Sequence, residues 1–210
     1  MRWQTTRSCT ELGRERLDAV FVHNPEHHRG DRQMLTDVLR DSFAVLEQAA
    51  HAGEVTAYGV ATWSGFSDGL FTVALLDQLA CEAAGSRDHH FRLVQLPVSL
   101  VMDLHLTEAL NQTGPITQAA ELGWEVHASA PLHGGELLSL ATAEIADLIH
   151  PGAPVAAACL AATASCPGVK RVLLATGQAA HWDDALAVTG RPAIPSAILR
   201  TVLDVLTAPV

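Results

Sequence analysis

The sequence predicts an α/β fold in which about five parallel strands alternate with covering helices. Short runs of β-branched and apolar residues recur along the 210 residues, and segments with apolar residues at helical spacing separate them. Strands joined through a helix pair in parallel, because a crossover returns the chain to the same end of the sheet. Apolar residues make up 49% of the chain and aromatic residues 5%, which indicates an interior of Ala, Leu and Val.

The predicted elements follow one another without a repeat or linker, so residues 1–210 are expected to form one domain. The strands are predicted at Leu17–Val22, Val55–Thr62, Phe91–Leu96, Trp124–Ala130 and Val169–Ala175. The helices are predicted at Thr6–Arg14, Gln33–Ala52, Leu70–Ala84, Leu104–Asn111, Ile116–Leu122, Leu137–Ile149, Val155–Ser165, Ala179–Val188 and Ile194–Leu206. The second helix is the clearest, because Leu35, Leu39, Phe43 and Leu46 recur on one stripe and Gly53 follows its end.

Charge and cysteine usage exclude several classes of protein. The net charge is −10 and the basic residues do not cluster, which argues against nucleic-acid binding. The four cysteines lie far apart without paired metal-type spacing, so we expect reduced thiols in a cytoplasmic protein. The first residues contain no apolar run of the signal-peptide kind, and the Ala-rich stretch Pro154–Cys166 is too short to span a bilayer. We therefore expect no membrane association.

Five stretches, in order, resemble motifs of the aldo/keto reductase family. LGRERLDAVFVHNPE is similar to the helix and fourth strand of that family, with the family's histidine at His23. AGEVTAYGVATW is similar to the fifth strand, and LVQLP to the sixth with its glutamine, Gln95. GWEVHASAPLHGGEL is similar to the seventh strand and its turn, and GVKRVLLATGQAAHWDDAL to the eighth strand and the nucleotide-binding helix. The resemblance implies a partial (β/α)8 TIM barrel in a truncated member that lacks the N-terminal part of the barrel.

The same resemblance points to altered chemistry. The reductases use an Asp, a Tyr and a Lys from the early strands together with the histidine, and only His23 has a counterpart in this chain. Tyr58 lies early in its strand and Lys170 opens the last strand, so neither matches the catalytic position. Without that phenol, carbonyl reduction lacks its usual proton donor.

The cofactor positions implied by the resemblance also depart from the family. Ala61 and Thr62 replace the Ser-Asn pair that holds the nicotinamide, and His181, Asp184 and Ala185 stand at the adenosine-phosphate positions. The segment Thr176–Ala187 contains no Arg or Lys, although Arg191 lies just beyond it. We therefore expect no cofactor, with NADP as the alternative. The residues assigned to a substrate pocket or vestigial cofactor pocket are Thr62, Trp63, Gln95, Glu125, His133, Gly134, Thr176 and Gly177.

Three residues are predicted to be catalytic: His23, His127 and Ser129. His23 ends its strand, at the face where such barrels place their chemistry, although it could equally be part of the scaffold. Glu125, His127 and Ser129 alternate and so share one face of their strand. If that face points into the barrel, it lines a pocket; if it points outward, it meets a covering helix.

No metal site is expected from the histidine pattern. His23, His27 and His28 form an H-x-x-x-H-H run that would bind a metal on a helix, but the Asn24-Pro25 pair disfavours a helix there. His89 and His90 are expected to form a solvated turn.

Three functions remain open. The favoured one is a non-redox acid/base enzyme of cyclase, lyase or isomerase type that acts on a small organic molecule in specialised metabolism. The others are an NAD(P)-dependent oxidoreductase completed by a partner chain and a non-catalytic accessory or binding subunit. Five strands cannot close an eight-stranded barrel, so we expect a homodimer, or a partner protein, to cover the apolar edges of the first and last strands.

Overall fold

The computed structural model describes residues 2–27 and 31–207. It contains five strands, numbered in chain order: β1 Leu17–His23, β2 Val55–Ala61, β3 Phe91–Pro97, β4 Glu125–Ser129 and β5 Val169–Val172. Strand β2 pairs in parallel with both β1 and β3, and β4 pairs in parallel with β5. The α/β class and the five parallel strands are confirmed.

Helices connect the strands throughout the described residues. They are α1 Arg2–Leu12, α2 Arg32–His51, α3 Val73–Ala84, α4 Leu104–Leu110, α5 Gly114–Glu121, α6 Leu137–Leu140, α7 Ala143–Ile149, α8 Val155–Ala164, α9 Ala179–Thr189 and α10 Ser196–Thr207. Short 3-10 turns lie at Pro25–His27 and His133–Gly135. None of the helices that the structure describes is long and apolar enough to cross a membrane.

The described residues group into two compact units. The first unit comprises those of Met1–Leu96 with Leu122–Trp124, and the second those of Pro97–Glu121 with Glu125–Val210. The single domain inferred from the sequence stays a prediction.

The first unit is built around the apolar stripe of α2. Leu39, Phe43 and Leu46 are fully buried, as the helical spacing predicts. The ring of Phe43 lies 5.4 Å from that of Tyr58 and 5.1 Å from that of Phe91. Gly59 brings β2 close to β3: a Cβ at this position would lie 1.9 Å from the carbonyl oxygen of Leu93. The aromatic cluster and this close approach fix the positions of β2 and β3 relative to α2.

The second unit packs its helices on β4 and β5. Val126 and Ala128 of β4 are fully buried, as are Ala158 and Ala162 of α8, so small side chains allow close packing here. Two boundaries in this unit differ most from the sequence prediction. The helix predicted over 137–149 is two helices, because the backbone of Ala141 is extended and Thr142 caps a new helix. Strand β5 ends at Val172, although the N–H of Leu173 still donates to the carbonyl of Ala128 at 2.9 Å, and Leu173, Leu174 and Ala175 line a cleft.

The adjacent histidines His89 and His90 do not form the solvated turn expected from sequence. His89 is 4% exposed, with its Nε2 3.1 Å from Oδ1 of Asp77. His90 is half-buried, with its Nδ1 2.8 Å from Oε2 of Glu47. His89 contacts α3 through Asp77, and His90 contacts α2 through Glu47.

Candidate functional site

The loop after β4 has an unusual backbone conformation. Ala130 and His133 have φ angles of 49° and 47°, and Gly134 and Gly135 have φ angles of 66° and 99°. Glycine adopts this left-handed region at little cost, whereas Ala and His are strained in it. Strained backbone conformations are common at functional sites, so this loop is a candidate for part of a site.

A cleft of about 410 Å³ lies against this loop in the second unit. Its walls are mainly aliphatic, and Leu138, Leu160 and Leu173 contribute large side chains. Gly134 and Gly135 supply backbone along one side, and nothing lies within 4 Å of a Cβ built on either residue. The volume falls within the range of small-molecule pockets.

The polar groups of the cleft come from the segment after β5 and from α9. The hydroxyl of Thr176 lies 2.9 Å from Nδ1 of His181 and accepts a hydrogen bond from the backbone N–H of Gln178 at 3.2 Å. Gln178 precedes α9, and its own side chain makes no capping hydrogen bond. The hydroxyl of Thr176 satisfies the backbone N–H of Gln178 instead. His181 and Asp184, one turn apart on α9, both line the cleft.

A second group of polar residues lies along β4 and β5. Oε2 of Glu125 is 3.3 Å from Nε2 of His127 and accepts a hydrogen bond from Nε of Arg171 at 3.0 Å. The guanidinium of Arg171, followed by the imidazole of His127, lowers the pKa of the Glu125 carboxyl. His127 is 7% exposed, while Glu125 and Ser129 on the same face are half-buried.

This arrangement is suited to proton transfer. An ionised carboxylate accepts a hydrogen bond, so Glu125 favours a proton on Nε2 of His127 and orients the ring. Arg171 lowers the pKa of the Glu125 carboxyl and so keeps it ionised to lower pH. This residue was not identified from the sequence. The available signal was the alternation of β5, which aligns Arg171 with His127 across the paired strands.

The remaining predicted residues of the second unit lie near the cleft. Gly134 and Thr176 line it. The Nε2 of His133 lies 3.7 Å from Oε2 of Glu136. Gly177 is exposed. The backbone carbonyl of Ser129 accepts a hydrogen bond from the N–H of Val98 at 3.1 Å.

In the first unit, His23 is the last residue of β1 and its side chain is exposed. It pairs with Ala61 across β1 and β2, and the N–H of Asn24, which has a φ of 44°, donates to the carbonyl of Ala61 at 2.7 Å. His23 is thus at a strand end, where the sequence places it. His27 is exposed in the following 3-10 turn, and His28 lies outside the described residues.

The loop after β2 is held by a residue that sequence reasoning missed. Oε1 of Glu26 accepts hydrogen bonds from the backbone N–H groups of Trp63, at 2.5 Å, and Ser64, at 3.1 Å. The hydroxyl of Thr62 accepts one from the N–H of Gly65 at 2.9 Å, and the N–H of Thr62 donates to the carbonyl of Gln95 at 2.9 Å. Thr62 and Glu26 therefore order this loop, while the indole of Trp63 is exposed.

Three further residues bear on the reductase resemblance. Tyr58 is fully buried in the middle of β2 and donates its hydroxyl to Glu47 at 2.9 Å. Lys170 is exposed near the start of β5. Nε of Arg191 donates to the carbonyl of Ala187 at 3.0 Å and its Nη1 contacts the imidazole of His150, so this guanidinium is held outside the cleft lining.

Comparison with solved structures identifies the architecture. The glycerol dehydrogenase AKR11B4 from Gluconobacter oxydans superposes with a TM-score of 0.72 at 16% identity, over 100% of this chain and 65% of its own. The thermostable aldo-keto reductase Tm1743, in complex with the inhibitor epalrestat, superposes with a TM-score of 0.65 at 16% identity. The aldo-keto reductase AKR11C1 from Bacillus halodurans does so with a TM-score of 0.65 at 11% identity. The chain has the fold of the aldo-keto reductases.

The match is limited to part of the reductase fold. The chain covers 64% of the length of Tm1743, 65% of AKR11B4 and 65% of AKR11C1. No protein-family model and no curated protein matches the sequence. At sequence identities of 11–16%, the structural match shows the fold alone. The activity depends on the residues of the site.

Proposed function

We propose that this aldo-keto reductase-like chain is a non-redox acid/base enzyme that acts on a small organic molecule, as a cyclase, lyase or isomerase does. The observation that supports the proposal is the hydrogen-bonded row of Arg171, Glu125 and His127 on one face of β4 and β5. A buried imidazole oriented by an ionised carboxylate is a common general acid/base.

The three residues have separate roles in this proposal. Glu125 orients the imidazole of His127, which exchanges a proton with the substrate in this proposal. Arg171 is a positioning residue, which keeps Glu125 ionised to lower pH. Ser129 lies two residues beyond His127 on the same face and is proposed to contact the substrate.

The position of Tyr58 also favours proton transfer over carbonyl reduction. It is the single tyrosine of this chain, and its hydroxyl is directed at the buried carboxylate of Glu47. Burial, followed by the charge of Glu47, raises the pKa of Tyr58, which makes the phenol a weaker proton donor.

The test is deuterium exchange at carbon atoms next to a carbonyl group, followed by NMR in D2O with a panel of small ketones and hydroxyketones. The wild-type chain is expected to catalyse exchange on at least one of them. His127→Ala should slow it by about 10²–10⁴-fold, the usual contribution of a general acid/base. Equal exchange rates for wild type and His127→Ala would refute the assignment. His23→Ala tests separately the role that the resemblance gives to His23.

The pH–rate profile of Arg171→Ala distinguishes a positioning role of Arg171 from a purely structural one. Loss of the guanidinium removes the largest influence that lowers the pKa of Glu125. The acid limb of the pH–rate profile should therefore shift to higher pH in Arg171→Ala, while the maximal rate changes less than in His127→Ala. An unshifted acid limb would show that Arg171 does not act through Glu125.

The cleft favours a second function, an NAD-dependent oxidoreductase completed by a partner chain. Its aliphatic walls suit an adenine ring, and the carboxylate of Asp184 can accept hydrogen bonds from ribose hydroxyls. A 2′-phosphate requires cationic groups, and its charge would be repelled by Asp184. The lining fits an unphosphorylated ribose, which favours NAD over NADP.

This second function predicts binding that can be measured without the partner. In fluorescence titrations, NADH should bind at least as tightly as NADPH, and Asp184→Ala should lower the affinity for NADH. Arg191→Ala is the matched control, because that side chain is held by Ala187 and His150 and should leave both affinities unchanged. The absence of binding of either nucleotide would exclude this function for the cleft.

A further inference from the structure

The first unit contains a buried carboxylate with two imidazoles directed at it. Glu47 and His51 are one turn apart at the end of α2, and His90 immediately precedes β3. Glu47 is 2% exposed on the face of α2 that carries Phe43 and Leu46. A carboxylate in such surroundings is costly unless its oxygens are satisfied, so its partners define what the cluster can do.

The two oxygens of Glu47 have different partners. Oε1 accepts hydrogen bonds from the hydroxyl of Tyr58 at 2.9 Å and from the backbone N–H of His90 at 2.7 Å. Oε2 lies 2.8 Å from Nδ1 of His90 and 3.8 Å from Nδ1 of His51. Oε1 is thus used to fix the carboxylate, and Oε2 is presented to the two imidazoles.

We propose that Glu47, His51 and His90 bind one divalent transition-metal ion of the Zn²⁺ type. Their three donor atoms all lie within 4.8 Å of one another. Two ligands about 2.0–2.1 Å from a tetrahedral zinc ion are about 3.3 Å apart, and the two distances from Oε2 lie on either side of that value. Water molecules would complete the coordination, because His51 and His90 are accessible to solvent.

The metal requires a change of hydrogen bonding at both imidazoles and a rotation of the exposed His51 ring away from the backbone carbonyl of Glu47. Nδ1 of His51 now lies 2.8 Å from the backbone carbonyl of Glu47, and Nδ1 of His90 lies beside Oε2. Moving each proton to Nε2 leaves both Nδ1 lone pairs available as ligands. Tyr58 would then be the outer group that orients a ligand carboxylate, a role that typically affects metal affinity about 10–100-fold.

A neighbouring cluster, Asp77, Cys81 and His89, also brings three donor atoms together, but its environment opposes a cation. Both ring nitrogens of His89 have partners: Nε2 lies 3.1 Å from Asp77 and Nδ1 lies 3.2 Å from the guanidinium of Arg92. Burial, followed by the charge of Asp77, raises the pKa of the Cys81 thiol, which disfavours the thiolate that a metal needs. We therefore expect no metal at Asp77, Cys81 and His89, and this cluster serves as a negative control within the same chain.

The test is titration of the full chain with Zn²⁺, followed by calorimetry and by the increase in melting temperature. The wild type should bind one Zn²⁺ per chain. His51→Ala should weaken binding by about tenfold or more and reduce the increase in melting temperature. His51 is exposed, so this variant keeps the fold. His27→Ala removes an exposed histidine from the H-x-x-x-H-H run and should bind as the wild type does.

Cobalt gives an independent readout. Co²⁺ in the proposed site should show visible bands of a nitrogen and oxygen ligand set, without the near-ultraviolet charge-transfer band of a thiolate. The proposal would be overturned if the wild type bound no stoichiometric Zn²⁺, if a folded His51→Ala bound Zn²⁺ unchanged, or if a thiolate band appeared and then disappeared in Cys81→Ser. Loss of binding in His27→Ala would place the metal elsewhere and overturn it as well.

Discussion

The ionisation of the buried Tyr58 can be followed by absorbance, which tests the interior of the first unit. Burial, and then Glu47, raises the pKa of Tyr58, so the folded state holds the phenolic proton more tightly than the unfolded state does. The stabilisation is fully present below the unfolded pKa of about 10, and it is lost as the pH rises through the folded value. Because this is the single tyrosine, tyrosinate absorbance should remain absent in alkali until the chain unfolds.

The control for this titration is the same protein in concentrated urea, where tyrosinate should appear with a pKa of about 10. A native-state titration with the same midpoint, and with unchanged circular dichroism, would contradict the buried hydrogen bond between Tyr58 and Glu47.

Gly59 is a position where no side chain fits. A Cβ there would lie 1.9 Å from the backbone oxygen of Leu93, and a backbone atom cannot move aside as a flexible side chain can. Gly59→Ala should therefore destabilise the chain by about 3 kcal/mol or more, at the upper end of overpacking effects. Urea denaturation measures the loss. Gly190→Ala is the matched control, because nothing lies within 4 Å of its Cβ; equal stability of the two variants would contradict the close approach of β2 and β3.

At the scale of elements, α2 depends on its N-terminal cap. The carboxylate of Asp31 accepts a hydrogen bond from the N–H of Met34 at 2.8 Å, which satisfies a backbone donor that the helix itself cannot. Asp31→Ala should reduce the free energy of unfolding by about 1 kcal/mol, and Asp31→Ser should recover most of it. A loss in Asp31→Ser as large as that in Asp31→Ala would show that the effect is not capping.

The sequence predicts the elements well where local signals are strong. The stripe of α2 and the apolar runs of β1 and β2 predict those elements to within two residues. The break between α6 and α7 and the early end of β5 are missed, because tertiary contacts decide them. Thr142 reads as an ordinary helical residue until its hydroxyl caps Ile145, and Leu173 to Ala175 read as a strand although they line the cleft.

The candidate site is predicted less completely than the fold. Alternation along β4 places Glu125, His127 and Ser129 on one face, and the structure adds Arg171 from the paired strand. Glu26 and Glu47 are not recognised, because their roles depend on partners more than ten residues away in the chain. A side chain bound to a distant backbone leaves no periodic signal in the sequence.

At the scale of the whole molecule, β1 is an edge strand of the described sheet. Among the described residues, β1 pairs with β2 and is the first strand of the sheet order. Its exposed Ala19 and half-buried Val20 and Phe21 form an apolar edge, the kind that recruits another strand. We propose that two copies pair through this edge in a symmetric homodimer, because a symmetric contact covers the same edge in both copies.

Sedimentation velocity tests this pairing. The wild type should sediment as a dimer, and Ala19→Lys should shift it towards the monomer, because a lysine on an edge strand opposes strand addition. Ala19 is exposed, so the substitution leaves the monomer folded. Thr201→Lys, on the exposed face of α10, carries the same charge change and should remain dimeric. A monomeric wild type would exclude the homodimer, and a dimeric Ala19→Lys would place the interface on a surface other than the edge of β1.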